Sequence, residues 1–205
     1  MALKAIALNC SLKSSDGEKS STDKMIDLIS KGLRERNVEV GKTIRIADFN
    51  VKPGVTSDEG DGDDWPDLRR QILDHDILIL GTPVWLGQMS SVGKRVLERM
   101  DAFLDEADDE GRMPSYSKVA LLAVVGNEDG AHSICASAYQ ALNDTGWTIP
   151  ASAVAYWVGE AMGNVDFGDL EKVPDNVKQA AMMAASNAAH LAKLLKQDAY
   201  PGSPA

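Results

Sequence analysis

Short apolar runs recur along the whole chain, separated by polar and amphipathic stretches. The runs have the length of strands, and Ile77–Leu80 and Val119–Val125 are apolar at every position, which is typical of strands covered on both faces. The pattern predicts five strands, at Lys4–Asn9, Glu39–Ile46, Ile77–Leu80, Val119–Val125 and Thr148–Tyr156.

Between these runs, apolar residues recur at the spacing of one helical face. The spacing predicts helices at Thr22–Glu35, Asp67–Asp74, Ser91–Leu104 and His132–Asn143, and a last, Ala-rich helix that Pro174 opens and that continues through Leu195. Parallel strands need long right-handed crossovers between them, and the helices supply these. We therefore predict an α/β fold, a doubly wound five-stranded parallel sheet in a three-layer α/β/α sandwich.

Ligands of such sheets bind at the carboxyl ends of the strands, where the strand order reverses. Three loops follow predicted strands at that edge: Cys10–Thr22, Thr82–Ser90 and Gly126–Ala131. The first of these is rich in hydroxyl groups and runs straight into a helix. Backbone N–H groups at a helix N-terminus, together with hydroxyls and Lys13, form a site for a phosphate monoester. Ordinary helix capping by Ser and Thr is the simpler alternative.

The other two loops suit a planar ligand. Val84-Trp85-Leu86 forms an apolar, aromatic wall between Pro83 and Gly87, and it is suited to contact a flat ring. Trp85 could equally be an ordinary packing residue. The third loop is a polar turn bounded by glycines, which lets backbone amides approach a ligand and offers Asn127 for hydrogen bonding.

Composition narrows the function classes. The chain has 205 residues, a net charge of −10 and a pI near 4.7, which argues against a nucleic-acid partner and favours a small ligand or a redox partner. Cys10 and Cys135 are the two cysteines, with no CxxC spacing, so we expect no disulfide and no metal site. A reducing cytoplasm is the expected compartment. Since no apolar run approaches about 20 residues, we expect no membrane span.

Three surface features have open alternatives. The acidic runs Ser57–Asp64 and Asp101–Glu110 are most simply solvated loops, but they could steer a positively charged partner, and the first could be a flap over the ligand. The alanines of the last helix permit close approach of another element and could be an oligomer seam. We expect a homodimer or a homotetramer.

Four segments, taken in order, resemble the NADPH-dependent FMN reductase family of flavodoxin-like proteins. They are Ser11 and Lys13 with Ser20–Thr22, then Thr82–Ser91 followed by Lys94 and Arg99–Asp101, then Gly126 with Gly130–Ala131, and finally Tyr156–Gly159. The resemblance spans most of the chain, and it rests on the order of the segments rather than on any one of them. It implies the strand order 2-1-3-4-5 and a single FMN-binding domain over 1–205, with 198–205 as a flexible tail.

The resemblance also implies the roles of the loop residues. Phosphate binding falls to the first loop, at Ser11, Lys13, Ser20, Ser21 and Thr22. The isoalloxazine ring falls to the second, at Pro83, Val84, Trp85, Leu86 and Gly87. Its pyrimidine edge falls to the third, at Gly126, Asn127, Glu128, Asp129 and Gly130.

The chain departs from the family pattern in its first loop. The family usually has Gly before the loop Ser and Arg two residues after it, where this chain has Cys10 and Lys13, and Leu12–Lys19 is inserted. Lys binds phosphate as a point charge, without the fork of Arg. Iron–sulfur relatives carry cysteines after the second strand, and Asn50–Ser57 has none, so no such cluster is expected.

The leading functional hypothesis is an FMN-dependent oxidoreductase. NADPH or NADH would pass a hydride to the flavin, which would reduce a quinone, free flavin or another small-molecule acceptor. No catalytic side chain is named, because the cofactor carries the chemistry. One alternative is a flavodoxin-type electron carrier without its own NAD(P)H turnover. Another is a flavin-free module that binds a different phosphorylated ligand.

Overall fold

The computed structural model describes residues 2–17, 19–161 and 163–202. Strands and helices alternate along this part of the chain. The strands are β1 Leu3–Asn9, β2 Val38–Val40, β3 Ile44–Arg45, β4 Ile77–Trp85, β5 Gln88–Met89, β6 Val119–Gly126 and β7 Val154–Val158. The α-helices are α1 Ser21–Arg34, α2 Trp65–Leu73, α3 Ser91–Met100, α4 Ala131–Asp144 and α5 Asp175–Gln197.

The main sheet is parallel, in the order β2-β1-β4-β6-β7. Strand β3 continues the edge beside β1, and β5 forms a short antiparallel hairpin with β4. Strands β4, β6 and β7 correspond to the predicted third, fourth and fifth strands, so this is the predicted order 2-1-3-4-5. The fold class is confirmed.

Alternate residues of the central strands enter two separate cores. Ala7, Ile79 and Leu121 pack with α1 and α5 on one face of the sheet, whereas Leu8 and Leu80 pack with α2, α3 and α4 on the other. All of these side chains are buried. The two cores give the predicted three layers and leave the carboxyl ends of the strands at one edge.

The alanines of α5 pack inside the chain. Ala181, Ala184, Ala185 and Ala188 are buried against α1 and the sheet. A Cβ atom at Gly32 of α1 would lie 2.8 Å from the Cβ of Ala185, so the two helices touch through small residues. The suggestion that this alanine stripe is an oligomer seam is therefore wrong, since an internal contact already uses it.

Three predicted strands differ clearly from the structure. Strand β4 continues past the predicted end at Leu80 to Trp85. The predicted strand Glu39–Ile46 is two short pieces, β2 and β3, with residues 41–43 between them, and Gly41 donates its N–H to the Ala5 carbonyl at 3.2 Å. The predicted fifth strand begins at Val154 rather than Thr148. Pro150 has no N–H to give to a ladder, so the residues around it form a turn and Thr148 makes only an isolated bridge.

Helix α3 is shorter than predicted, because Asp101–Asp105 form a 3₁₀ turn after Met100. The flexible tail predicted at 198–205 stays a prediction, since 203–205 lie outside the described residues. Within the described tail, the Tyr200 N–H donates to Ser117 Oγ at 3.0 Å and its ring packs edge-on against Tyr116.

The acidic run Ser57–Asp64 is not simply a solvated loop. The Asp63 carboxylate is buried in an ion pair with Arg99, at 2.8 Å, and both side chains have no exposed surface. It also accepts the backbone N–H groups of Lys52 and Glu59 in the loop and of Trp65 at the start of α2. Burial raises the pKa of Asp63, but the hydrogen bonds from Arg99 and the backbone outweigh it and hold the pKa well below its usual range.

Candidate functional site

The loops after β1, β4 and β6 meet at the carboxyl edge of the sheet around a cavity of about 150 Å³. Of the residues predicted from sequence, those that line it are Ser11, Lys13, Ser20, Ser21, Thr22, Pro83, Val84, Trp85, Gly126 and Asn127. The cavity also has lining residues that the sequence did not single out, namely Leu12, Lys19, Val125, Asp166 and Phe167.

One end of the cavity is the N-terminus of α1. Ser20 is the N-cap residue, in an extended conformation, yet its side chain makes no capping hydrogen bond. The first N–H groups of a helix have no intrahelical acceptor and carry partial positive charge. Ser20 and Thr22 are 6% and 1% exposed, so two buried hydroxyls lie beside these groups. This end of the cavity is suited to an anion.

The first loop is held from behind by side chains outside the cavity. Arg45 donates to the Ser14 carbonyl at 2.9 Å and forms an ion pair with Asp23 of α1. The Ser15 N–H donates to Asp48 at 2.7 Å, and the hydrogen bonds from Ser15 lower the pKa of that carboxyl. These contacts fix the loop from its outer side and leave its inner side to a ligand.

The second loop is the tight hairpin between β4 and β5. Its two turn residues, Leu86 and Gly87, have φ angles of 52° and 74°, which defines a type I′ geometry. Trp85, just before the turn, lines the cavity and is 52% exposed. Leu86 is 91% exposed and, like Gly87, is not among the lining residues.

The third loop packs directly on the second. A Cβ atom at Gly130 would lie 2.7 Å from both Cα and O of Gly87, so only glycine permits this contact. The Glu128 carboxylate accepts the Leu86 N–H at 3.0 Å, and Asp129 accepts the Gly130 N–H at 2.7 Å. Glu128 and Gly130 therefore join the two loops, and Asp129 holds the Gly130 N–H within the third loop. None of the three lines the cavity.

The loop after β7 closes one side of the cavity. Asn127 donates to the Gly163 carbonyl at 3.1 Å, and the Gly168 N–H donates to Ser21 Oγ at 2.9 Å. Phe167, between these contacts, is buried, and Lys24 lies over its ring at 5.4 Å. Phe167 could have been predicted as a site residue only from its position after the last strand, because the loop there begins at the same carboxyl edge of the sheet as the other three loops.

The chemistry of the cavity is that of binding. Burial raises the pKa of the Cys10 thiol far above its usual range, which agrees with the interpretation of Cys10 as a small packing residue. Within the described parts of the chain, no group of three or more His, Cys, Asp or Glu side chains is placed to hold a metal ion. An anion-binding end beside an apolar and aromatic wall suits an elongated ligand with a phosphate and a flat ring.

Comparison with known proteins identifies the class. The model of the NADPH-dependent FMN reductase family matches residues 3–161. The chain belongs to this family, and the resemblance inferred from its loops is confirmed. The predicted cofactors, FMN with NADPH or NADH, agree with that description.

A curated relative is similar over nearly the whole chain. It is the 8-demethyl-8-aminoriboflavin-5'-phosphate synthase of Streptomyces davaonensis, 30% identical over 98% of this chain and 81% of the relative. A crystal structure of RosB with the bound intermediate 8-demethyl-8-formylriboflavin-5'-phosphate has a TM-score of 0.87, covering 98% of this chain and 82% of that one.

Two further matches are more limited. The divalent metal cation transporter MntH of Mycobacterium bovis is 35% identical over 96% of this chain, but the chain spans only 30% of that protein's length. Among the helices of the described residues, none has the length and hydropathy to cross a membrane. A structure of the NADH:FMN oxidoreductase EmoB has the same fold as this chain, with a TM-score of 0.66 and 15% identity. The match covers 94% of this chain and 90% of the EmoB chain.

Proposed function

We propose that this protein binds FMN in the cavity and is an NAD(P)H-dependent oxidoreductase that delivers electrons to a small acceptor. The observation that carries the proposal is the pairing of an anion-binding helix terminus with an aromatic wall in one cavity, at the edge where this fold binds ligands. Family membership supports it.

The residues fit the parts of FMN. Ser11, Lys13, Ser20, Ser21 and Thr22 would hold the phosphate, because buried hydroxyls and helix N–H groups converge there. Pro83, Val84 and Trp85 would pack against the ring, and Gly126 and Asn127 would lie at its pyrimidine edge. Leu86, Gly87, Glu128, Asp129 and Gly130 would hold the two loops in register rather than touch the ring.

When bound, FMN supplies a ring that accepts a hydride from NADH or NADPH and passes electrons on. The protein's own residues bind and orient the flavin and exclude water from it. Lys13 and Lys19 lie on the lining beside the helix terminus and offset the phosphate charge. Val84 and Phe167 are buried parts of the lining and exclude water, whereas half-exposed Trp85 and Leu12 leave the cavity accessible to a second substrate.

An absorbance titration of the purified protein with FMN tests the proposal. We expect saturable binding, followed by anaerobic bleaching of the bound flavin when NADPH or NADH is added. Steady consumption of the nicotinamide with an added quinone or free flavin would distinguish the enzyme from an electron carrier. A protein that rejects FMN would contradict the proposal.

The phosphate assignment has its own test. We expect the double variant Ser20→Ala, Thr22→Val to weaken FMN binding far more than riboflavin binding, because only FMN carries the phosphate. Equal losses for the two ligands would show that these hydroxyls do not hold a phosphate.

A second candidate function is modification of the flavin itself. The observation that favours it is the 30% identity over 98% of this chain with a synthase of a modified riboflavin phosphate. In that case the same cavity would hold FMN as substrate. Mass spectrometry of the flavin after incubation separates the two functions, since a reductase returns FMN of unchanged mass.

The cytoplasmic location and the homodimeric or homotetrameric state are also proposals. Size-exclusion chromatography tests the oligomeric state.

A further inference from the structure

A buried asparagine at the end of β1 contacts both ends of the first loop. Asn9 has no exposed surface. Its Oδ1 accepts the backbone N–H of Ser11 at 2.8 Å, and its Nδ2 donates to the Asp23 carboxylate at 2.6 Å and to Ser20 Oγ at 3.1 Å. A backbone N–H can only donate and an ionised carboxylate can only accept. These two partners therefore fix which way the Asn9 amide points.

The orientation of Asn9 decides the role of the Ser20 hydroxyl. Because Nδ2 is a donor, Ser20 Oγ must accept from it, and the hydroxyl hydrogen has to point elsewhere. Ser20 does not cap α1 with its side chain, and among the described residues no acceptor for its hydrogen is found. Ser20 is 94% buried, with 6% of its surface exposed, and it lines the cavity. The hydroxyl is left to donate into the cavity.

We infer that Asn9 is a positioning residue that sets Ser20 as a hydrogen-bond donor and thereby selects a ligand ending in a phosphate monoester. An ionised phosphate only accepts hydrogen bonds, so a fixed donor beside the helix N–H groups matches it. This inference rests on the proposed function and deepens it, since it names the residue that favours phosphorylated over unphosphorylated flavin. Arg45 pairs with Asp23 and offsets the carboxylate behind Asn9.

The substitution Asn9→Asp keeps the shape and reverses this polarity. The new oxygen would accept from Ser20 and turn the hydroxyl hydrogen away from the cavity. It would also lie beside the Asp23 carboxylate, so one proton would be shared between the two carboxyls, and the oxygen facing Ser20 would accept in either case. We expect FMN affinity to fall roughly tenfold and riboflavin affinity by less than about threefold, because a charge-assisted hydrogen bond to the phosphate is lost.

The decisive measurement is a double-mutant cycle with Ser20→Ala, read as dissociation constants for FMN and riboflavin. In the wild-type background we expect Ser20→Ala to weaken FMN about tenfold. In the Asn9→Asp background it should have almost no further effect, because Ser20 no longer donates to the ligand. Ser20→Thr keeps the hydroxyl and should retain FMN binding. Asn187→Asp makes the same amide-to-carboxyl change on α5, outside the cavity lining, and should change neither affinity.

The outcomes separate the inference from the proposed function. A wild-type protein that binds neither flavin overturns both. A wild-type protein that prefers FMN, with equal effects of Ser20→Ala in the two backgrounds, overturns the role of Asn9 alone. If Asn9→Asp does not fold, neutron diffraction of the wild-type FMN complex decides. A deuteron on Ser20 Oγ directed at the phosphate supports the inference, and one directed at Asn9 overturns it.

Discussion

The contact between the second and third loops gives the sharpest test of how the cavity is built. Gly130 has a φ of +143°, and a Cβ atom there would lie 2.7 to 2.8 Å from the Cα, C and O atoms of Gly87. Those neighbours are backbone atoms, which cannot rotate away as a side chain would. In Gly130→Ala the two loops must separate, and with them Trp85 and Asn127, which both line the cavity.

The size of the effect follows from two contributions. A non-glycine residue at such a φ costs about 1–2 kcal/mol in stability. Loss of packing between a flat ring and its aromatic wall costs about 1–3 kcal/mol in binding, which is a factor of up to roughly 100. Because we propose that these loops contact the ring rather than the phosphate, we expect FMN and riboflavin to lose affinity by the same factor of about 10 to 100.

The assay is fluorescence titration with both flavins, alongside thermal unfolding. Gly60→Ala is the matched control, because Gly60 has a φ of +82° and a Cβ there would meet nothing within 4 Å. It should cost a similar amount of stability and leave flavin binding unchanged. Unaltered flavin affinity in Gly130→Ala, or a loss confined to FMN, would refute the proposal that the joined loops hold the ring.

Three further outcomes are expected. Asp63→Asn should unfold roughly 6–20 °C below wild type by calorimetry, because it leaves Arg99 buried without its charge partner, at a cost of about 3–5 kcal/mol. The folded pKa of Asp63 lies below its unfolded value of about 3.9. The difference in melting temperature between the variant and wild type should therefore persist above that pH and shrink as the pH falls below it. Asp61→Asn, at an exposed aspartate, should unfold at almost the same temperature as wild type. Leu86→Asn should raise the melting temperature by a few degrees, about 1 kcal/mol, because Asn adopts the positive φ of a type I′ turn and exposed Leu86 packs on little; an unchanged or lower melting temperature would argue against strain there. Trp85→Ala should weaken FMN and riboflavin equally in the same titration, and an effect on FMN alone would place the ring elsewhere.

The sequence predicted the parts of the fold that hydrophobic burial controls. Continuous apolar strands such as Val119–Val125 and the helices between them were identifiable, because burial on both faces or on one face leaves a local periodic pattern. The interrupted edge at residues 41–43 was missed, since an edge strand is only partly buried and its pairing depends on turn geometry.

The candidate site was predictable in outline and not in its contacts. Ligand binding at the carboxyl ends of strands pointed to the three loops, and most lining residues lie on them. The burial of Asp63 against Arg99 could not be predicted, because the two residues are far apart in the sequence and meet only through the folded course of the loop. The sequence pattern predicts Asn9 only as the last residue of a strand, and its hydrogen-bond partners are what show its contact with the first loop.

A crystal structure of the protein soaked with FMN tests the central claim most directly. We expect the phosphate at the N-terminus of α1, within hydrogen-bond distance of Ser20 and Thr22, and the ring against Trp85. Flavin bound with its phosphate away from that helix, or a cavity that stays empty at saturating FMN, would contradict it.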